Sequence, residues 1–172
     1  MFGLIFSIAG SNHVMAAPPI TLWQTIDTLA QQIPFTQAKV ERVLSVTLSD
    51  PDPGTLVFQP TLFRFLEGGP LTLANGVVIE NVDLRVRHTG DDPDFLALDI
   101  AGSCIRLNVV RAHYGDLKIT DHPRGHSLND VTSHTAVLPW GELSFSFAER
   151  NPDCLSSIVL DPSVQEANNA AG

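Results

Sequence analysis

The sequence is poor in positive charge and in long apolar runs, and each shortage excludes a class of protein. Lys and Arg together number 10 against 19 Asp and Glu, which gives the 172-residue chain a formal charge of −9. Nucleic acids and anionic membrane surfaces are bound through clustered Lys and Arg, so this balance argues against both as partners. The apolar run over 2–10 is far shorter than the roughly 20 residues that cross a bilayer. We therefore expect no nucleic-acid binding and no stable membrane insertion.

Common catalytic and metal-binding motifs are missing as well. No serine stands in a GxSxG pattern, the sequence has no HExxH, and its two cysteines form no CxxC pair. These absences exclude a nucleophile elbow, a zinc-binding helix of that type and dithiol redox catalysis. We expect no cofactor, no metal and no enzymatic activity.

What the sequence does contain is typical of one globular domain, with 44 % hydrophobic and 17 % charged residues. Two helices are predicted near the start. The first begins after the N-cap Thr21 and ends before Pro34; its apolar stripe consists of Leu22, Ile26, Leu29, Ala30 and Ile33. The second begins at Thr36, with Val40, Val43 and Leu44 on one face. The alternative for this segment is a strand with Val40, Leu44, Val46 and Leu48 on one side.

From Thr55 onward the period changes to two, which predicts strands. They are 56–58, 62–66, 71–73, 77–88, 95–101, 104–113, 117–120, 134–138, 143–149 and 155–160. Asn75 and Gly76 predict a tight hairpin, and the short connections require antiparallel pairing. The sequence predicts an α+β fold: one or two short N-terminal helices followed by a large antiparallel β-meander, as a sandwich or a strongly curved sheet.

The beginning of the chain resembles an export signal, although no Lys or Arg precedes Lys39. Val14 and Ala16 stand at −3 and −1 of a small-residue cleavage site that follows the apolar run. The pattern predicts a signal peptide over 1–16 and hence a periplasmic or secreted protein. The rest of the sequence predicts one domain over 17–162 and a flexible tail over 163–172. In an oxidising compartment Cys104 and Cys154 are expected to form a disulfide; two buried free thiols are the alternative.

The stretch from His113 to His134 is the richest in side chains suited to recognition or chemistry. We predict that it contacts a protein partner through Tyr114, Asp116, Asp121, His122, Arg124, His126 and Asn129. The acidic loops, with Asp50 and Asp52 in one and Asp91, Asp92 and Asp94 in the other, are expected to steer a basic partner. The alternative is an exported hydrolase, with or without a metal, that uses His113, Asp116 and His122.

Thr36, Val40 and Leu44 match the short helix TxxxVxxxLG that precedes the sheet in a group of small bacterial envelope proteins. Ser45 stands where that pattern has glycine. In this helix and in general layout the chain is similar to β-lactamase inhibitor protein and the small outer-membrane assembly lipoproteins, and it also resembles periplasmic immunity proteins. The resemblance implies an exported immunity protein or inhibitor that occludes a toxic secreted hydrolase. A structural component of envelope assembly is the other role it implies.

Overall fold

The computed structural model describes residues 20–51, 63–87 and 95–162, and these ranges contain three α-helices and eight strands. The helices are α1 (Leu22–Ala30), α2 (Gln37–Leu44) and α3 (Leu107–Tyr114). The strands are β1 (Phe63–Gly68), β2 (Leu71–Thr72), β3 (Val77–Arg87), β4 (Phe95–Gly102), β5 (Lys118–Asp121), β6 (Val131–Leu138), β7 (Gly141–Ala148) and β8 (Leu155–Asp161). The predicted α+β fold with a large antiparallel sheet is confirmed. The predictions on 1–16, 56–58 and 163–172, and on Asp52, Asp91, Asp92 and Asp94, lie outside the described residues.

Both predicted N-terminal helices form, and their caps are the residues that the sequence indicates. The Thr21 side chain accepts the Gln24 backbone N–H, while the Gln24 side chain accepts the Thr21 N–H at 2.9 Å, a complete capping box. The Thr36 hydroxyl accepts the Lys39 N–H at the start of α2. Ser45 ends α2 in the left-handed conformation, with φ at 54°. This is the conformation for which glycine is best suited, so the serine departs from the helix motif in residue but not in backbone geometry.

The sheet is antiparallel throughout its described strands, but its order is not that of a simple meander. The order is β1-β3-β4-β8-β7-β6-β5, and β2 pairs with β3. After β4 the chain passes through α3 to the far edge of the sheet, starts again at β5 and returns strand by strand until β8 pairs with β4. The predicted hairpin at Asn75 and Gly76 is confirmed: both residues have positive φ, 63° and 73°, as the tight β2–β3 connection requires.

All three helices pack on one face of the sheet. A continuous row of apolar side chains crosses that face from β1 to β6: Leu66, Leu84, Leu96, Leu160, Leu143 and Ala136. The helices add Ile26, Leu29, Val40 and Val110 to the same buried cluster. The predicted alternation in β3 is confirmed, since Val82 and Leu84 are buried in the core while Asp83 and Arg85 lie on the opposite face.

The predicted strand over 104–113 is wrong, because 107–114 form helix α3. The adjacent β-branched residues Val109 and Val110 favoured a strand in the sequence. The helical spacing of Leu107, Val110 and Tyr114 prevails, since it places all three against the core. Of the predicted partner-binding residues, Tyr114 is therefore held by a packed helix.

The predicted pairing of Cys104 and Cys154 is present in the structure. The two Cα atoms are 5.0 Å apart and the sulfur atoms are at bonding distance. Cys104 does not lie in a strand as predicted, since it follows β4 in the connection to α3. Cys154 directly precedes β8. Disulfides form and persist in oxidising compartments, so the pair fits a protein that folds outside the cytoplasm.

Candidate functional site

The structure divides the stretch from His113 to His134 among five environments. His113 and Tyr114 belong to α3, Asp116 lies exposed in the following connection, and Asp121 ends β5. Residues 122–130 form a loop between β5 and β6, which we call the recognition loop. His134 lies within β6 and is buried. The predicted partner-binding residues are therefore not one continuous surface loop.

Tyr114 is half-buried rather than freely presented. Its ring lies 5.1 Å from that of Phe145 and 6.1 Å from that of Trp23, measured between ring centroids. Burial, with a smaller contribution from Asp27, raises the pKa of its hydroxyl. Trp23 also stacks on His113 at 4.0 Å, so both residues at the end of α3 are occupied by packing against α1.

The recognition loop is organised by a single carboxylate. Asp130 accepts the backbone N–H groups of Arg124 and His126, each at 3.1 Å. These hydrogen bonds, with that of His126 the largest contribution, lower the pKa of Asp130. Gly125, between the two donors, has a φ of 75°, which allows the chain to turn around the carboxylate.

Two further contacts fix the far side of this loop. The Glu149 N–H donates to the Asp130 carbonyl and the Arg150 N–H to the Leu128 carbonyl, both at 2.9 Å. Within the loop, the Ser127 hydroxyl accepts the Asn129 N–H at 3.0 Å. The backbone of the recognition loop is thus held from inside by Asp130 and from outside by the turn after β7.

The side chains on this backbone face solvent. His122, Arg124, His126 and Asn129 are all exposed, as the sequence predicts. Leu128 is 71 % exposed, the largest value among the large apolar side chains of the described ranges. A cleft of about 340 Å³ lies between it, Pro123, His126 and Glu149. The site therefore presents one apolar side chain surrounded by polar ones.

The hydrolase alternative names His113, Asp116 and His122, which lie at the end of α3, in the connection after it and at the start of the loop after β5. Within 20–51, 63–87 and 95–162, no three His, Cys, Asp or Glu side chains lie close enough together to hold a metal ion. His113 is exposed and stacks on Trp23, whereas His134 is enclosed in the core.

The predicted acidic steering loops are only partly accounted for. Asp91, Asp92 and Asp94 lie outside the described residues. Asp50 forms a two-pronged ion pair with Arg64, with both contacts at 2.8 Å, and this arginine lowers its pKa. The negative charge of Asp50 is therefore compensated by Arg64.

Sequence reasoning missed the residues that shape the recognition loop. Leu128 is a lone apolar residue in a polar segment, and it was not among the predicted contacts. Asp130 follows Gly125 within a short loop, a pattern in which aspartate side chains bind nearby backbone N–H groups. That pattern could have indicated the role of Asp130, whereas the support from Glu149 and Arg150 depends on tertiary structure.

No family model, curated protein or solved structure matches this chain. In the described part of the chain, no helix has the length and apolar character needed to cross a membrane.

Proposed function

We propose that this protein is an exported inhibitor, of the kind represented by periplasmic immunity proteins, and that its recognition loop enters the cleft of a secreted hydrolase. One observation carries the proposal: Leu128 is 71 % exposed on a loop whose backbone is fixed by Asp130 and by the turn after β7. Burial of this exposed apolar side chain in a partner would be favourable. Because the loop backbone is already fixed, little conformational entropy would be lost on binding.

The energetics favour an occluding role. Burying a leucine side chain contributes roughly 1.5–3 kcal/mol. Binding normally requires loops and side chains to be ordered, at about 0.5–1.5 kcal/mol for each flexible side chain, and a preformed backbone reduces that cost. Interfaces concentrate their binding energy in a few central side chains surrounded by polar residues that exclude water. Leu128 has this setting, with Arg124, His126 and Asn129 as its surroundings.

The charge of the chain supports a basic partner. A net charge of −9 attracts a cationic protein and raises the rate of encounter. At physiological ionic strength this attraction acts mainly within about 8 Å, because salt screens exposed charges at longer distances. The disulfide and the resemblance of the first residues to an export signal support a periplasmic or secreted location, where such hydrolases act. A structural component of envelope assembly would have no evident need for a fixed loop with an apolar tip.

The proposal predicts that Leu128→Asp weakens partner binding without affecting the fold. The immobilised protein is exposed to an extract of secreted and periplasmic proteins, the retained hydrolase is identified, and its activity and Kd are measured. We expect Leu128→Asp to weaken binding by roughly 10- to 100-fold, because the apolar contact is lost.

Val137→Asp is the matched control, since Val137 is 64 % exposed on β6 outside the recognition loop. We expect it to bind as the unaltered protein does. Equal affinity of the two aspartate variants and the unaltered protein for the identified hydrolase would contradict the proposed function.

A further inference from the structure

The turn between β7 and β8, residues 149–154, supports the recognition loop through its backbone. Glu149 and Arg150 donate the two hydrogen bonds that reach Asp130 and Leu128. The turn is closed internally by the Asn151 N–H on the Ala148 carbonyl and the Cys154 N–H on the Asn151 carbonyl, at 2.9 and 3.2 Å. The position of this short segment therefore determines where the loop backbone is held.

The Cys104–Cys154 disulfide holds the same turn from its other end. Cys154 is the last residue of the turn, and its partner lies in the connection between β4 and α3. One backbone hydrogen bond runs beside the disulfide, from the Leu155 N–H to the Ile105 carbonyl at 2.9 Å. A continuous set of contacts thus leads from the disulfide through residues 149–154 to Leu128.

We propose that the Cys104–Cys154 disulfide positions the recognition loop, so that the loop is competent to bind only when the disulfide has formed. This inference rests on the proposed function. The protein would then be inactive while its thiols are reduced and become an inhibitor after transfer to an oxidising compartment. Oxidation by a disulfide oxidant is balanced: the Cys104–Cys154 sulfur–sulfur bond forms, the oxidant's own disulfide bond breaks, and the two protons lost by the cysteines end on the oxidant's thiols. A dithiol such as dithiothreitol reverses the step and is itself oxidised to a disulfide.

The location of the disulfide makes a local effect the expected one. The core rows of the sheet are formed by pairs between β3, β4, β8 and β7, and their hydrogen bonds do not involve residues 149–154. Cys104 is exposed, so a reductant in solution can reach it without unfolding of the sheet. Loss of the disulfide is therefore expected to free the turn first.

Hydrogen exchange on the full chain tests this coupling without any partner. The oxidised protein is compared with the same protein in dithiothreitol and with the Cys104→Ser/Cys154→Ser variant. We expect the amides of Arg124, His126, Glu149 and Arg150 to exchange about tenfold faster, or more, in dithiothreitol and in the double serine variant, both of which lack the disulfide. Asp130→Ala with the disulfide intact is the positive control, since it removes the acceptor for Arg124 and His126 directly.

The result separates a positioning role from a merely stabilising one. Loop amides exchange by local opening, so a disulfide that only stabilised the whole fold would change the exchange of core amides in β3 and β4 and leave the loop amides unchanged. That result, or loss of all protection in both forms that lack the disulfide, would overturn the inference. If loop exchange responds while Leu128→Asp still binds the hydrolase normally, the positioning role stands and the proposed function fails.

Discussion

At the scale of single residues, His134 is the least expected feature of the core. It is 6 % exposed on the helix-bearing face of β6, and its ring meets that of Phe147 edge-on at 5.8 Å. Its Nδ1 atom is buried and has no hydrogen-bond partner. Burial, with a smaller contribution from Arg111, lowers its pKa, so the folded protein keeps this ring neutral at pH values where the unfolded chain binds a proton.

This placement predicts a pH dependence of stability with a definite sign. Above about pH 6.5, the ordinary value for histidine, the ring is neutral in both states and contributes no slope. Below it, only the unfolded state gains the proton. The free energy of unfolding therefore decreases as the pH is lowered, until the folded-state pKa is reached. We expect His134→Phe to remove this part of the slope, measured by urea unfolding at pH 8 and pH 5. The carboxylates are common to both proteins, so equal losses between the two pH values would contradict the placement of His134.

At the scale of elements, the helix-free face of β1, β3 and β4 is stabilised by cation–π contacts across the strands. The Arg85 guanidinium lies 4.8 Å from the Phe65 ring centroid and 4.5 Å from that of Phe95, and it donates to Asp83 at 2.9 Å. Arg87 lies over Phe63 in the same way at 4.7 Å. Cross-strand pairs of this kind fix the register of neighbouring strands.

A double-mutant cycle measures this contribution. We expect Arg85→Met and Phe95→Leu to be coupled by about 0.5–1 kcal/mol in the free energy of unfolding, the range for partly exposed cation–π pairs. Arg64→Met serves as the control arginine, because Arg64 pairs with Asp50. Coupling of Phe95 to Arg64 as strong as its coupling to Arg85 would show that the cation–π contact between Arg85 and Phe95 contributes nothing specific.

At the scale of the whole molecule, the features that could be predicted from the sequence are those that depend on near neighbours. Thr21 and Gln24 form their capping box within one turn, and Asn75 with Gly76 determines its hairpin locally. Helix α3 was missed because Val109 and Val110 favour a strand locally, and packing against the core decides for the helical spacing of Leu107, Val110 and Tyr114. The pairing of β4 with β8 was missed because it joins segments far apart in the chain.

The candidate site follows the same division. The exposed polar residues of 122–130 were predicted, because a polar segment between two strands lies at the surface. The exposure of Leu128 and the support from the turn at 149–154 depend on tertiary structure, so the periodicity of the sequence does not predict them. The proposed binding surface is therefore the recognition loop as a folded unit.

Removal of that unit is the most direct test. In the shortened protein, residues 124–129 are replaced by two glycines, and its Kd for the captured hydrolase is measured by calorimetry beside its Tm. We predict complete loss of binding with a Tm within a few degrees of the unaltered value, because the exposed loop contributes little to the core. Unchanged affinity in the shortened protein would contradict the account and would place the binding surface elsewhere on the molecule.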